Sequence, residues 1–152
     1  MELKDITKKA VTVSEETTLR EALRCMIEKQ TNSLLVTDAG GALVGEIGVS
    51  DLLDAIVPDY LEGDSIAAHF ATEEMFEEAV KDAADKPARE FMATDLDPVR
   101  PNDNLMSVAA AAIALRRARI PVVDDENRPV GIISRRGLKH ILAGSLGIED
   151  SA

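Results

Sequence analysis

The chain has 152 residues, of which 45% are hydrophobic and 30% are charged, a balance that is typical of soluble globular proteins and disfavours disorder. Its formal net charge of −11 argues against general binding to nucleic acid or to an anionic membrane surface, because both depend on clustered Lys and Arg. Aromatic residues make up only 3%, so we expect an aliphatic core and no extensive stacking of bases on aromatic side chains.

The chain begins with segments that predict a short strand and then an amphipathic helix. Residues 1–9 predict a helical lead-in, and the β-branched residues in 10–13 predict a brief extended segment. Residues 18–21 have the form of a capping box, which satisfies the first unpaired N–H groups of a helix. An apolar stripe at helical spacing follows, formed by Leu19, Ala22, Leu23, Met26 and Ile27.

A hairpin and a second helix come next. Residues 34–36 form a short apolar run that predicts a buried strand, and turn residues at 38–41 lead to an antiparallel partner at 43–47. A helix is predicted over 50–57 and ends at Pro58, because proline cannot continue a helix. The first 57 residues therefore predict the order strand, helix, strand, strand, helix.

The same order returns at a constant offset of 86 residues. Nine positions of the first copy recur with identical residues in the second, namely Val13, Leu19, Ile27, Val36, Asp38, Val44, Gly45, Ile47 and Leu52. A constant offset across several elements indicates an internal duplication. One copy alone cannot bury both faces of its sheet, so we expect the copies to pack sheet against sheet about a pseudo-twofold axis.

Between the copies lies an acidic insert, in which a helix is predicted over 72–84. From 58 to 92 there are ten Asp or Glu residues against three Lys or Arg, whereas from 116 to 140 there are seven Lys or Arg against three Asp or Glu. The insert is either a solvated helix with one face docked on the repeats or a regulatory tether. The acidic charge is thus separated from a local basic region in the second copy.

The two strand-to-helix junctions, at 43–53 and 129–139, are the candidate sites. A helix N-terminus carries unpaired N–H groups and a positive dipole end, which suit an anion. In the second junction Arg135 and Arg136 follow Ser134 and oppose the helix dipole, an arrangement that a bound phosphate would make favourable. Arg119 is expected to point into the same cleft. The alternative is a solvated basic face or one that is neutralised by the acidic insert.

These residues and motifs resemble the CBS domain, named for cystathionine β-synthase, in a tandem pair of the Bateman-module type such as small stand-alone bacterial or archaeal members contain. The resemblance rests on Val-Thr-Val before a capped helix, on apolar strands that end at Asp38 and Asp124, and on the Gly-x-Ile strand before the last helix. It implies an α/β (α+β) fold of two βαββα repeats with a helical acidic insert. The predicted divisions are 1–57, 58–87 and 88–152.

The resemblance also implies nucleotide contacts, but both copies depart from the ligand motif of the family, Gly-x-x-(Thr/Ser)-x-x-Asp. Copy one keeps Asp51, which either accepts from a ribose or caps its own helix, but has Gly48 at the hydroxyl position; Ser50 is its displaced substitute. Copy two keeps Ser134 but has Gly137 in place of the Asp. The candidate nucleotide-binding residues are Thr12, Val13, Leu34, Leu35, Gly48, Ser50, Asp51, Val99, Arg119, Ile120, Pro121, Ser134, Arg135 and Arg136.

The sequence and the resemblance together predict a non-enzymatic regulatory module. It would bind an adenosine-containing ligand (AMP, ADP, ATP or S-adenosylmethionine), require no cofactor or metal, and form a homodimer through its helices. No nucleophile with an adjacent base and no metal cluster is apparent. The absence of a signal segment and of a membrane-length apolar run predicts a cytoplasmic protein without membrane or nucleic-acid partners. The alternative is a structural dimerisation or docking module whose ligand sites have decayed; a downstream protein partner is not identified.

Overall fold

A computed structural model describes residues 2–57, 65–115 and 119–150. The strands are β1 (Thr7–Lys8), β2 (Thr12–Ser14), β3 (Ser33–Thr37), β4 (Leu43–Gly48), β5 (Arg119–Val123) and β6 (Pro129–Ser134). The helices are α1 (Leu19–Lys29), α2 (Val49–Ile56), α3 (Ser65–His69), α4 (Glu73–Ala83), α5 (Ala88–Phe91), α6 (Leu105–Leu115) and α7 (Arg135–Ser145), and a 3₁₀ turn spans Leu3–Asp5.

The first repeat folds around a three-stranded sheet in the order β2-β3-β4. Strand β2 pairs with β3 in parallel and β3 pairs with β4 as the predicted antiparallel hairpin. The hydroxyl of Thr18 accepts from the Glu21 N–H at 3.2 Å, which confirms the predicted N-terminus of α1. This helix buries Leu19, Ala22 and Met26 against the sheet, where they share a core with Leu34, Val36 and Ile47.

The second repeat reproduces this arrangement. Strands β5 and β6 pair as a hairpin, and Val99 forms a parallel bridge with Val122 on β5. Its counterpart 86 residues earlier is the parallel pair of Val13 with Val36. The amide of Asn104 caps α6 by accepting from the Ser107 N–H at 2.8 Å, as expected for the residue that replaces Thr18. The predicted mixed α/β fold of two duplicated units is confirmed.

The two repeats exchange their first segments. The predicted helical lead-in over 1–9 is wrong beyond its first turn, because Thr7 and Lys8 form β1 and pair antiparallel with β6 of the second repeat. Leu3 and Ile6 are accordingly buried in the core of the second repeat. In return, Ala93 pairs with Glu46 on β4 of the first repeat. Each sheet is therefore extended by residues that belong to the other repeat in sequence. Strand β1 of the first repeat extends the second sheet, and Ala93 of the second repeat extends the first.

A smaller core joins the two sheets. Leu35 and Leu43 of the first sheet contact Val123 of the second. The Leu43 N–H donates to the backbone carbonyl of Asn127 at 2.8 Å, and the Asn127 amide donates to the Leu43 carbonyl at 3.2 Å. The symmetric bond cannot form, since the counterpart of Leu43 is Pro129, which has no N–H. The sheets pack against each other as predicted, but the hydrogen bonds between the two hairpins lack twofold symmetry, because Leu43 donates its N–H and Pro129 has none to donate.

Part of the predicted apolar stripe on the repeat helices is exposed. Ile27 on α1 is 68% exposed and its counterpart Ile113 on α6 is 75% exposed. The insert helix α4 has the predicted bounds within one residue and docks on the first core mainly through its C-terminal residue Ala83. Both repeats thus present aliphatic side chains on the outer face of their long helices.

Candidate functional site

The second strand-to-helix junction brings together the residues that the sequence singled out. The register of the β5–β6 hairpin places Arg119 directly opposite Ser134. The Ser134 hydroxyl then caps α7 by accepting from the Gly137 N–H at 3.2 Å, and Arg135 and Arg136 occupy the first turn. Two exposed guanidinium groups therefore lie at the positive end of an eleven-residue helix, beside a third from the neighbouring strand.

These residues line a cleft of about 540 Å³ that is bordered by both repeats, hereafter the basic cleft. Its cationic residues come from four segments of the chain and are Lys8, Lys9, Lys29, Arg119, Arg135 and Arg136. The described residues that line it include no carboxylate, and none of the six cations is in an ion pair within the described part of the chain. The volume lies within the range of small-molecule sites.

The three lysines of the basic cleft were missed by the sequence analysis. Lys8 and Lys9 reach it because β1 pairs with β6, which places Lys8 opposite Ile132. Lys29 ends α1 and lies beside the loop of Gln30, Thr31 and Asn32, which also borders the cleft. The adjacent pair Lys8-Lys9 was a visible signal in an acidic chain, but its location depends on the strand exchange.

The first junction has a different arrangement. Asp51 accepts from the Gly48 N–H at 2.7 Å and so caps its own helix, the alternative to ribose binding that the sequence left open. Gly48 ends β4 and pairs with Ser33, while Ser50 is exposed in the first turn of α2. These residues do not line the basic cleft. Their part in nucleotide binding stays a prediction.

Most of the remaining predicted contacts are buried side chains. Leu34 and Leu35 on β3, Val99, and Ile120 and Pro121 on β5 are enclosed in the cores, so in this conformation they offer a ligand little side-chain surface. Thr12 and Val13 form β2 opposite Leu35 and Val36, with Thr12 exposed. They also stay predictions.

Gly137 explains why the second copy lacks the acidic residue of the motif. A Cβ at this position would lie 3.2 Å from the Cβ of Ile6 and 3.3 Å from its carbonyl oxygen. Ile6 is fixed there because it is buried in the second core and precedes β1. The strand exchange therefore crowds this position, and a larger residue would require Ile6 to shift by a few tenths of an ångström.

A second groove of about 540 Å³ lies between α2, α4 and α5. Among the described residues, its charged lining consists of the carboxylates of Asp54, Asp82 and Glu90 and of one cation, Lys86. This balance repels an anion, so the groove is a poor nucleotide site despite its equal size. Within the described ranges, no cluster of His, Cys, Asp and Glu could hold a metal, and no helix is long and apolar enough to cross a membrane.

The fold and the cleft define an internally duplicated α/β module whose copies enclose a ligand-sized space. A sequence profile of the CBS domain matches residues 3–58 and 88–144, most of the chain, so the chain belongs to the CBS domain family. The chain is 32% identical to the CBS domain of a CBS domain containing membrane protein from Sphaerobacter thermophilus, with a TM-score of 0.71 and coverage of 91% of this chain and 86% of that one.

Two further solved structures share the fold at 22% identity. One is a CBS domain pair in complex with 5′-methylthioadenosine and S-adenosyl-L-methionine, with a TM-score of 0.69, and the other is CBSX2 in complex with AMP, also with a TM-score of 0.69. Each alignment covers 95% of this chain and 98% of the other. These two CBS proteins thus bind adenosine-type ligands.

Proposed function

We propose that this protein is a non-enzymatic regulatory module that binds an adenosine-containing ligand, AMP, ADP, ATP or S-adenosylmethionine, in the basic cleft. The observation that carries the proposal is the convergence of Arg119, Ser134, Arg135 and Arg136 on one ligand-sized space between the repeats. A phosphate there would contact guanidinium groups, a hydroxyl and the N-terminus of α7 together. The adenosine ligands of structurally similar CBS pairs support the ligand class.

Calorimetric titration of the folded protein with each of the four compounds tests the proposal. Binding of at least one, weakened by Arg135→Gln and unchanged by Arg20→Gln, is the expected result. Arg20 is the matched control because it is an exposed Arg in the first turn of α1, paired with Asp85 at 3.9 Å and outside the cleft. Protein that is folded by circular dichroism and gives no heat with any compound would remove the proposal.

The second candidate is a structural module without ligand binding. It is favoured by the two altered motifs, since Asp51 caps its own helix and Gly137 is packed against Ile6. A ligand that binds only the folded protein raises its melting temperature. A structural module would therefore melt at one temperature with and without nucleotide, whereas the regulatory module would be stabilised.

We further propose that the protein is a homodimer and that ligand occupancy is transmitted as a change in helix or dimer geometry. Leu23 and Ile27 on α1 and Val49 and Leu53 on α2 are exposed aliphatic residues that a second copy would cover. Sedimentation should show a dimer that Ile27→Lys weakens. Ile66→Lys, at an equally exposed isoleucine on α3, should leave it intact. A monomer at all micromolar concentrations would contradict the proposal.

A further inference from the structure

We infer that the basic cleft binds a chain of two or more phosphates and recognises this chain rather than the nucleoside attached to it. The inference rests on the proposed function, because it concerns the same cleft and narrows its ligands. It extends to nucleotides with any base and to inorganic polyphosphates.

The amount and distribution of positive charge in the basic cleft favour an extended anion. The six cations come from β1 and the residue after it, from the end of α1, from the start of β5 and from the first turn of α7. A single phosphate group carries about two negative charges and forms its contacts over a small volume. Six cations from four segments of the chain, lining one cleft of about 540 Å³, match an extended anion instead. A phosphate chain satisfies more of them at once than a monophosphate does.

The described lining of the basic cleft offers little surface for a nucleoside. The described aliphatic residues of the cleft wall are Val11 and Ile132, and no aromatic ring is among the described residues that line it. The described lining also has no carboxylate to accept from the ribose hydroxyls, and Ile6 occupies the space beside Gly137 where the family motif has one. Binding energy from the base and the ribose is therefore small relative to that from the phosphates.

The positive charge of the basic cleft also discriminates between ligands by the sign of their charge. S-adenosylmethionine carries a positive sulfonium centre and has no phosphate. Its sulfonium and ammonium outweigh its one carboxylate, so its net charge is positive, and six cations without an ion pair among the described residues disfavour its entry. Among adenosine ligands, the cleft thus favours ATP over AMP, and AMP over S-adenosylmethionine.

The test is a calorimetric competition series without divalent cations, using ATP, GTP, inorganic tripolyphosphate, AMP, adenosine and S-adenosylmethionine. ATP, GTP and tripolyphosphate should bind with affinities within about fivefold of one another, and AMP should bind at least about tenfold more weakly. Adenosine and S-adenosylmethionine should not displace ATP. Raising the salt concentration should weaken ATP binding strongly, because the cations are exposed to screening.

A matched pair of double variants locates the binding. Lys8→Gln/Lys9→Gln removes two cations from the cleft, and Lys4→Gln/Lys81→Gln removes two exposed cations that lie outside it. The first should weaken tripolyphosphate binding by about tenfold or more, and the second by less than about twofold. Equal effects of the two would overturn the inference.

The outcomes separate this inference from the proposed function. If AMP or adenosine binds as tightly as ATP, or if GTP and tripolyphosphate fail to displace ATP, the inference falls while the regulatory adenosine-binding function stands. If tripolyphosphate binds and no adenosine compound does, both fall, because ATP carries the same triphosphate chain and should bind with it. Folded protein that binds none of the six compounds overturns both.

Discussion

At the residue scale, the strand exchange gives two equivalent glycines of the repeats different neighbours. Gly45 and Gly131 occupy the same position in the two repeats, but their neighbours differ. A Cβ on Gly131 would lie 2.6 Å from the backbone carbonyl oxygen of Lys8 and 2.5 Å from the Thr7 side chain. A Cβ on Gly45 would clash with the side chain of Met92, above all with its sulfur. Backbone cannot move aside as easily as a flexible thioether can.

Gly131→Ala should therefore destabilise the protein more than Gly45→Ala. We expect Gly131→Ala to lower the free energy of unfolding by about 3 kcal/mol, because β1 must leave β6, and Gly45→Ala by about 1 kcal/mol. Thermal unfolding of the two variants side by side measures the difference. Equal melting temperatures would mean that β1 is held less firmly than its pairing indicates.

The hairpin turn of the second repeat makes the stability of the protein depend on pH in the acidic range. The Oδ1 atom of Asp124 accepts from the N–H groups of Arg128 at 3.0 Å and Glu126 at 2.9 Å. The bond from the Arg128 N–H, more than that from Glu126, holds the pKa of this carboxyl below its usual value of 3.8. The charged form is thus the one that the fold stabilises.

Because the folded-state pKa is lowered, this stabilisation is fully present above pH 3.8 and is lost as the pH falls through the folded-state value. The amide of the Asp124→Asn variant is uncharged at every pH, so the variant lacks this pH-dependent stabilisation. We expect the variant to have a lower melting temperature than the native protein at pH 7. This difference in melting temperature should shrink as the pH falls below 3.8. Melting curves recorded at pH 7 and below pH 3.8 measure it. A gap of constant size would show that the charge does not matter.

At the element scale, a hydroxyl caps a helix in each repeat, but only one of these caps borders the basic cleft. Thr18 caps α1 and Ser134 caps α7, each through a hydroxyl at 3.2 Å from an amide nitrogen. Thr18 does not line the basic cleft, whereas Ser134 does. The two hydroxyls are therefore a natural comparison of structural and binding roles.

Thr18→Ala and Ser134→Ala should each lower the free energy of unfolding by about 1 kcal/mol, the usual cost of a lost cap. Only Ser134→Ala should also weaken the binding of tripolyphosphate, because its hydroxyl proton is available to the anion while its oxygen caps the helix. Calorimetry and thermal melting of both variants separate the effects. Unchanged affinity in Ser134→Ala would exclude the hydroxyl from the binding surface.

The elements that the sequence predicted well are those with local signals. Hydroxyl or amide caps at Thr18 and Asn104 and the turn at Asp38 are visible in short windows, and the structure contains each of them. The duplication is also visible, because identical residues recur 86 positions apart. Strand β1 was missed because it has two residues and its partner is more than 120 residues away. No local pattern encodes that pairing.

The same difference between local and long-range signals decides which parts of the candidate site the sequence could predict. Arg119 and Ser134 could be paired from the hairpin alone, since a hairpin fixes the register of its strands. Lys8 and Lys9 reach the cleft only through the strand exchange, and Gly137 is explained only by the position of Ile6. The parts of the site that depend on long-range pairing had to come from the structure.

At the scale of the whole molecule, the exchanged segments couple the stability of the two repeats. Ile6 belongs to the first repeat in sequence but is buried in the second core with Val108 and Ile133. Ala93 pairs in return with Glu46 of the first sheet through N–H···O bonds of 3.0 and 2.8 Å. Opening either repeat therefore removes a segment from the sheet of the other.

We accordingly expect Ile6→Ala to destabilise both repeats together. Emptying this core position should cost about 3 kcal/mol of unfolding free energy. Amide hydrogen exchange should then accelerate by similar factors in β3 of the first repeat and in β6 of the second, because the repeats open as one unit. Ile66→Ala, at an exposed isoleucine on α3, should change neither rate. Acceleration confined to β5, β6 and α7 would show instead that the second repeat opens alone, and that the Ala93 pairing and the shared core of Leu35, Leu43 and Val123 do not couple the two sheets.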